Sequence, residues 1–446
     1  MTLSEIDRTL RDIRVTPVKT LGQNFLHDQN LARWIVGHAE IEPGECVVEI
    51  GPGLGALTDL ALAAGARVIA IEKDARLVEF LRKRFAGDSR LELIHRDALD
   101  FDLRPLFAHP RVKLLGNLPY YVASQLLLKF TADPSPISLW LLMLQKEMAQ
   151  RLAAQPGTSA YGSLSLFVQL RYRVDYLRTI PPTVFLPNPE VDSALVRLTA
   201  RVPGEFPPCD TELFTRLVRA GFSQRRKQLQ KLLRPQIADW EEACERCGFG
   251  PKARAEDLPL SQWIALSNYV RNRRLEAAPA DGDELFSVVD AEDRVVGSEA
   301  RAAVHANNLL HRAVHILVFN PAGEVFLQKR SPWKDRHPSV WDSSAAGHVD
   351  AGEDYDDAAQ RELREELGIE AKLQRIAKLP ASSRTGQEFI WIYRAEHGGP
   401  FTLARDEIEL GEFFAPAIVA HWIEARPDDF APGFVESWKA SLTSRR

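Results

Sequence analysis

Three glutamates in the second half of the chain, Glu362, Glu365 and Glu366, are spaced so that one helix would present them on a single face. Carboxylates at such short distances repel one another. A hard divalent cation such as Mg²⁺ (or Mn²⁺) relieves the repulsion by taking their oxygens as ligands. A cation held there can bridge diphosphate oxygens and lower the pKa of an attacking water. Glu353 is a fourth candidate metal ligand that Arg361 can orient, and Glu362 is also a candidate catalytic residue. The spacing predicts metal-dependent hydrolysis, although three glutamates alone would also suit a solvated acidic helix.

A different set of residues follows successive predicted strands in the first half. Gly51 and Gly53 lie in a glycine-rich turn after a first strand, Glu72 ends the second strand, and Asp97 follows the third. Such glycines let the backbone approach a ligand, and a carboxylate after the second strand can accept hydrogen bonds from both ribose hydroxyls of an adenosine-type cofactor. A carboxylate at Asp97 can accept one from the adenine amino group. Alone, either acid could be a helix N-cap, and the turn could belong to an oxidoreductase.

The end of the fourth strand distinguishes a methyl-donor cofactor from the nucleotide cofactor of an oxidoreductase. It runs into Asn117-Leu118-Pro119-Tyr120. An exocyclic adenine amine is a poor nucleophile, and hydrogen bonds to the Asn117 side-chain oxygen and the Leu118 carbonyl would favour a geometry in which its nitrogen can attack a methyl group. Tyr120 offers a ring on which the base can stack. This favours S-adenosyl-L-methionine as cofactor, and positioning should matter more than a general base.

These motifs resemble the ribosomal RNA adenine N6-dimethyltransferase family, over nearly all of residues 15–270. The resemblance implies that Asn24 and Leu26, together with Gly51, Glu72, Asp97 and Asn117, contact the methyl donor, and that Phe185 is a second aromatic clamp for the base. It also implies the substrate, a pair of adjacent adenosines near the 3′ end of 16S rRNA in the 30S ribosomal subunit, each methylated twice. The chain departs from the family pattern at Tyr121 and Glu190.

A basic run in the predicted helical segment indicates a contact with RNA phosphates. It consists of Arg225, Arg226, Lys227, Lys231 and Arg234. A solvated helix face is the alternative interpretation, and the family resemblance favours RNA.

The acidic pattern of the second half, from Gly347 through Glu353 to Ile369, resembles the Nudix family at every defined position of its signature. The resemblance implies a small diphosphate-containing substrate, with Glu407 or Glu409 as a candidate distal base. The branch that includes isopentenyl-diphosphate isomerase is the most similar, but Ala346 stands where the isomerase has its acidic cysteine, so hydrolysis is expected. By the same resemblance, three histidines could be residual metal ligands, although each histidine taken alone is more often structural: His305, His311 and His348.

The elements that must position these residues divide the chain into four segments. Residues 1–200 should form a Rossmann-like methyltransferase domain with a parallel α/β sheet, 201–275 a small helical rRNA-binding subdomain, 276–283 a linker, and 284–446 a separate α/β/α Nudix domain. The strands are predicted at Cys46–Ile50, Arg67–Ile71, Leu91–His95, Val112–Leu115 and Ser138–Leu144.

Charge is distributed unevenly between the two halves. Residues 1–275 contain 37 Lys and Arg against 31 Asp and Glu, whereas the remainder has 19 against 30. The first part can therefore approach a polyanion, and the second part could not do so by charge alone. No apolar run is long enough to span a bilayer, so no membrane partner and a cytoplasmic location are expected.

Two other functions remain open at this stage. The first part could act chiefly as a ribosome-assembly factor, with the second part as a binding module. It could also methylate 23S rRNA, although Val191-Asp192-Ser193-Ala194 and Gln224-Arg225-Arg226-Lys227 favour the small subunit.

Overall fold

The structure is a computed structural model that describes residues 1–17, 23–118, 122–132, 134–202, 204–276 and 284–443. The chain separates into two compact units, Met1–Ala277 and Ala278–Arg446. Most of the linker predicted at 276–283 lies outside the described residues. Within the described part of the chain, no helix combines the length and apolar character needed to cross a bilayer.

The first unit alternates strands and helices. The strands are β1 (Phe25–Leu26), β2 (Cys46–Ile50), β3 (Arg67–Glu72), β4 (Leu91–His95), β5 (Val112–Asn117), β6 (Ile137–Gln145), β7 (Tyr172–Ile180), β8 (Phe185–Leu186) and β9 (Ser193–Ala200). The helices are α1 (Leu3–Asp12), α2 (Gln29–Gly37), α3 (Ala56–Ala63), α4 (Ala75–Arg84), α5 (Ala123–Phe130), α6 (Lys146–Leu152), α7 (Ser163–Arg171), α8 (Thr211–Gly221), α9 (Leu229–Leu233), α10 (Trp240–Cys247) and α11 (Leu260–Glu276). The five predicted strands are confirmed, with shifts of at most two residues at their ends.

The main sheet of this unit has seven strands in the order β4-β3-β2-β5-β6-β9-β7. The first five are parallel, and β9 is antiparallel to both of its neighbours. Val47 and Val48 are successive residues of β2 that point to opposite faces, and both are fully buried because helices cover the two faces. The expected Rossmann-like sheet is confirmed, and it brings the carboxyl ends of β2, β3 and β5 to one edge.

Helices α8 to α11 form the small helical subdomain expected after the sheet. They share an apolar core that includes Phe214, Leu233 and Trp263. Asp210 caps α8 by accepting a hydrogen bond from the Leu213 N–H at 2.9 Å.

The second unit is built around one mixed sheet. Its strands are β10 (Leu285–Val289), β11 (Val295–Ala300), β12 (His311–Phe319), β13 (Val325–Arg330), β14 (Trp341–Asp342), β15 (Ala345–His348), β16 (Gln374–Leu379), β17 (Glu388–Glu396) and β18 (Ile408–Phe414). Its helices are α12 (Arg301–Ala306), α13 (Tyr355–Leu367), α14 (Pro416–Ala425) and α15 (Pro432–Thr443).

Strand β12 organises this second sheet, because β15 pairs with it in antiparallel and β17 in parallel register. Helix α13 buries Leu363 and Leu367 against Val314 and Ile316 of β12. Asp354 caps the start of α13, and Gly368 ends it in a left-handed conformation. This packing holds the acidic face of α13 next to β15.

Candidate active sites

The first unit contains a pocket of about 750 Å³ at the carboxyl ends of β2, β3 and β5. This is the crevice in which open α/β sheets bind ligands. Six of the residues predicted to bind the methyl donor line it together: Asn24, Gly51, Gly53, Glu72, Asp97 and Asn117. The apolar side chains of Ile71, Leu77 and Leu126 suit an adenosine-type ligand.

The glycine-rich turn after β2 brings its backbone to the pocket. Gly51 and Gly53 have φ values of 67° and 58°, a region that side chains disfavour. A Cβ atom at Gly53 would lie 3.1 Å from the Phe25 ring. The Gly53 N–H donates a 3.3 Å hydrogen bond to Glu72, so the turn and the acidic residue are joined directly.

Glu72 is held rigidly at the end of β3. Its carboxylate also accepts hydrogen bonds from the N–H groups of Lys73 at 2.8 Å and Asp74 at 2.9 Å. Burial raises the pKa of Glu72, and these backbone hydrogen bonds oppose that rise. The group is therefore a fixed acceptor inside the pocket rather than a solvated surface acid.

Asp97 is both a cap and a residue of the pocket wall, two positions that the sequence left as alternatives. It caps a short 3₁₀ turn by accepting the Leu99 N–H at 3.0 Å, and it also lines the pocket. Its other oxygen accepts a 2.6 Å hydrogen bond from Lys73, and this contact lowers the pKa of the carboxyl.

Asn117 ends β5, and its side-chain nitrogen donates a 2.9 Å hydrogen bond to the Asn24 carbonyl. This leaves the side-chain oxygen as the acceptor for a ligand. Leu118 is buried and does not line the pocket, and its N–H donates to the Met143 carbonyl at 3.2 Å. Tyr120 lies outside the described residues.

The structure corrects two predictions near β1. Phe185 was expected to offer a ring for stacking, but this side chain is fully buried because β8 pairs with β1 and directs it into the core. Leu26 is its pairing partner and is buried in the same core, so its side chain does not line the pocket either. The neighbouring residues Gln23 and Phe25 line the pocket instead.

The five basic residues predicted to contact RNA are all exposed. Arg225, Arg226 and Lys227 lie on the turn between α8 and α9, not on a helix, so the expected helical stripe is wrong for these three. Lys231 lies on α9 and Arg234 follows it. The Arg225 guanidinium is less available to RNA phosphate, because it forms an ion pair with Glu256 at 3.2 Å.

In the second unit, the face of α13 that carries Glu362, Glu365 and Glu366 lines a cavity of about 1040 Å³. Glu362 and Glu366 are buried, whereas Glu365 is exposed. Burial raises the pKa of both buried carboxyls, and repulsion from Glu362 raises that of Glu366 further. A divalent cation would relieve this penalty, so the donor set fits Mg²⁺ or a similar hard cation.

Arg361 gathers the acidic groups around it, as expected. It donates to Glu353 at 3.0 Å, to Glu362 at 2.7 Å and to Glu365 at 3.0 Å. Glu353 also accepts the Asp350 N–H at 3.1 Å and does not line the cavity. Both oxygens of Glu353 hold Arg361 and the turn before α13, and its role as a metal ligand stays a prediction.

Glu366 is positioned from β13 and β15. It accepts a 3.1 Å hydrogen bond from the Gln328 side chain and a 2.9 Å bond from the Ala346 N–H. Of the two candidate distal bases, Glu407 lines the cavity and pairs with Lys334. Glu409 instead pairs with Lys329 at 3.2 Å and does not line the cavity.

The three histidines converge beside this cavity. The ligand atoms of His305, His311 and His348 lie within 4.8 Å of one another. Glu388 Oε1 lies 3.4 Å from His348 Nε2 and 3.5 Å from His311 Nε2. Burial lowers the pKa of His348 to about 4, so this ring is neutral and its nitrogen can act as a ligand.

Several site residues were missed from the sequence. Glu388 and Lys334 are single charged residues without a local motif. The pairing of β17 with β12 brings Glu388 to the histidines, and the loop after β13 brings Lys334 to the glutamate cavity. In the first unit, Gln23 and Asp74 are joined by a 3.3 Å hydrogen bond at the pocket. Gln23 directly precedes Asn24, which was predicted to bind the methyl donor. This adjacency was the one signal in the sequence that Gln23 lies at the pocket.

The fold and the pockets define an α/β methyltransferase joined to a separate domain with an acidic, metal-binding type of cavity. Residues 17–272 match the ribosomal RNA adenine dimethylase family, and residues 309–434 match the NUDIX domain. The chain belongs to the ribosomal RNA adenine dimethylase family and carries a NUDIX domain. It is therefore an S-adenosylmethionine-dependent rRNA adenine dimethyltransferase by class, with a second enzymatic domain.

Two curated relatives support the first assignment. A ribosomal RNA small subunit methyltransferase A from Geobacillus thermodenitrificans is 40% identical, over 56% of this chain and 89% of the relative. The protein of the same name from Paracoccus denitrificans is 44% identical, over 58% of this chain and 92% of the relative. A solved 23S rRNA methyltransferase, ErmE, is 25% identical with a TM-score of 0.48, covering 56% of this chain and 100% of that structure.

Proposed function

We propose that the first unit dimethylates N6 of two adjacent adenosines in the 3′-terminal loop of 16S rRNA within the 30S subunit, in the cytoplasm. The observation that carries this proposal is the convergence of Asn117, Glu72 and Asp97 on one pocket at the sheet edge. The small-subunit methyltransferases to which the chain is similar support the choice of RNA.

In this proposal, the chain positions and the cofactor supplies an activated methyl group. Glu72 and Asp97 accept hydrogen bonds from the ribose and adenine of the bound donor. The Asn117 oxygen accepts one from the target amine, and Tyr120 stacks on the base. A target base has to leave its stack to reach such a pocket, which costs least in a loop. The exposed residues Arg226 and Lys227, with their basic neighbours, bind the surrounding phosphates.

Substrate choice is tested by incubating the full chain and S-adenosylmethionine with 30S and 50S subunits that lack adenine methylation. Nucleoside mass spectrometry should find dimethyladenosine in 16S rRNA alone, at two adjacent positions. Dimethyladenosine in 23S rRNA would contradict the choice of subunit. Tight binding to 30S subunits without methyl transfer would instead favour the assembly-factor function.

We further propose that the second unit hydrolyses a diphosphate-containing small molecule with Mg²⁺ or Mn²⁺. The buried pair Glu362 and Glu366, with Glu365, would hold the cation, which would polarise the diphosphate and an attacking water. Glu407, which lines the cavity, would accept the proton of that water. The test is phosphate release by the full chain from a panel of diphosphates with Mg²⁺. Glu366→Gln should reduce it at least about 100-fold, and undiminished release by this variant would contradict the metal assignment.

A further inference from the structure

A second cavity of about 640 Å³ opens beside the glutamate cavity of the second unit. We call it the distal cavity. The two cavities share lining residues, among them Arg301, Arg330 and Gly347. A ligand whose diphosphate lies at the glutamate face would therefore extend the rest of its structure into the distal cavity.

The wall of the distal cavity combines charged side chains and four imidazole rings with small residues. Among the described residues that line it, alanine is the largest aliphatic side chain and there is no phenylalanine, tyrosine or tryptophan. A Cβ atom at Gly386 would lie 3.5 Å from Arg336 Nη1, and one at Gly433 would lie 3.6 Å from His315 Nε2. A prenyl chain needs an extended surface of larger aliphatic side chains, so this wall does not suit it.

The charge of the wall is also different from that of the glutamate cavity. There, carboxylates outnumber basic groups. In the distal cavity, four arginines face three carboxylates: Arg301, Arg330, Arg336 and Arg384 against Asp335, Asp342 and Glu388. Glu388 already has partners, since its Oε1 lies 3.4 Å from His348 Nε2 and 3.5 Å from His311 Nε2. The distal cavity therefore favours an anionic group.

Of the arginines in this wall, Arg336 and Arg384 have N–H donors available for a ligand. Arg330 is fixed by bonds to Asp342 at 3.0 Å and to the carbonyls of His337 and Arg336 at 3.1 Å each. In the described part of the chain, the Arg336 guanidinium makes one hydrogen bond, of 3.3 Å to the His305 carbonyl. Arg384 is exposed and pairs with Glu436 at 3.3 Å, a surface contact that costs little to exchange. Guanidinium groups held in this way bind phosphate oxygens with two parallel hydrogen bonds.

We propose that the distal cavity binds a compact, hydroxylated group that carries a second phosphate, with Arg336 and Arg384 as its ligands. The substrate class is then a phosphorylated sugar or polyol diphosphate, and not a prenyl diphosphate. This inference rests on the proposed diphosphate chemistry of the adjacent glutamates.

The experiment measures binding separately from hydrolysis. Titration calorimetry of the full chain with Mg²⁺ uses methylene-bridged, non-hydrolysable analogues of 5-phosphoribosyl 1-diphosphate, geranyl diphosphate and ADP. The phosphoribosyl analogue should bind at least about tenfold more tightly than the other two. Arg336→Gln and Arg384→Gln should each weaken binding of the phosphoribosyl analogue about tenfold and leave binding of the geranyl analogue unchanged. The exposed control Arg294→Gln should leave the binding of all three analogues unchanged.

Equal or tighter binding of the geranyl or ADP analogue would overturn the inference, as would unchanged phosphoribosyl binding in both folded arginine variants. Hydrolysis of the unmodified compounds separates the two proposals. The expected binding order without hydrolysis would leave the inference standing and contradict the hydrolase proposal. Faster hydrolysis of geranyl diphosphate or ADP would support a hydrolase and contradict the inference.

Discussion

Asn117 at the end of β5 and Asn24 before β1 are joined by a 2.9 Å hydrogen bond from the Asn117 side-chain nitrogen to the Asn24 carbonyl. The bond fixes which end of the Asn117 amide is available to a ligand. It also ties the segment before β1 to the sheet edge, while the pairing of Phe25 with Leu186 holds the next residue from the other side. Both asparagines line the same pocket.

Glu72→Gln should weaken S-adenosylmethionine binding by about 10- to 100-fold. The carboxylate accepts the N–H groups of Gly53, Lys73 and Asp74, and an amide nitrogen would face one of these donors. Titration calorimetry with the cofactor measures the effect. The exposed Glu79→Gln, on the solvent face of α4, is the control, and a change of less than twofold in Glu72→Gln would contradict the assignment.

Gly347→Ala should abolish diphosphate hydrolysis and leave the fold intact. A Cβ atom at this position would overlap the Glu362 carboxylate, which would have to leave the cavity. We expect kcat to fall at least about 100-fold, since a displaced metal ligand disrupts the catalytic geometry. Gly297→Ala, where a Cβ would meet nothing within 4 Å, is the matched control. Equal rates of diphosphate hydrolysis in Gly347→Ala and Gly297→Ala would show that hydrolysis does not need the Glu362 carboxylate in the cavity.

Glu49→Gln should make the first unit more stable at pH 8 and have little effect near pH 5. Burial raises the pKa of Glu49 to about 7, against the 2.6 Å hydrogen bond that Thr58 donates to it. The folded state therefore holds a proton that the unfolded state releases above its ordinary pKa of 4.5, so stability falls as pH rises from about 4.5 to 7. The gain at pH 8 should be about 1–3 kcal/mol.

Thermal or denaturant unfolding of the full chain at several pH values measures this difference. Thr58→Val, which removes the hydrogen bond but keeps the shape, should steepen the pH dependence. A gain in Glu49→Gln that is constant from pH 5 to pH 8 would contradict the argument.

Replacing Arg226 and Lys227 by glutamine should weaken binding to 16S rRNA and reduce its dependence on salt. Both side chains are exposed on the turn before α9. Each lost phosphate contact should reduce the slope of log affinity against log salt by about one unit. Filter binding at several salt concentrations gives the slope. The control is Arg67→Gln, at the end of β3 away from the pocket. An unchanged slope would mean that these residues do not meet phosphate.

The sequence was informative where local pattern and chemistry coincide. The glycine turn, Glu72 and Asp97 follow strands whose register places their ends at one edge, and the i, i+3, i+4 spacing of the glutamates places them on one face of α13. Arg361 was correctly expected to pair with Glu353.

Contacts between distant segments could not be predicted in the same way. The burial of Phe185 depends on a two-residue pairing with Phe25–Leu26, and no periodicity in so short a strand reports it. Glu388 reaches the histidines because β17 runs parallel to β12, a pairing of segments far apart in the chain. The hydrogen bond from the Asp350 N–H to Glu353 likewise depends on the turn geometry before α13.

The central claim is that Asn117 presents its side-chain oxygen to an adenine amine beside the methyl donor. The direct test is methyl transfer from labelled S-adenosylmethionine to unmethylated 30S subunits by the wild type, by Asn117→Ala and by the exposed control Asn30→Ala. We expect Asn117→Ala to lower kcat at least about 100-fold, with cofactor affinity changed less than tenfold and Asn30→Ala unaffected. Full dimethylation by a folded Asn117→Ala chain would contradict the claim.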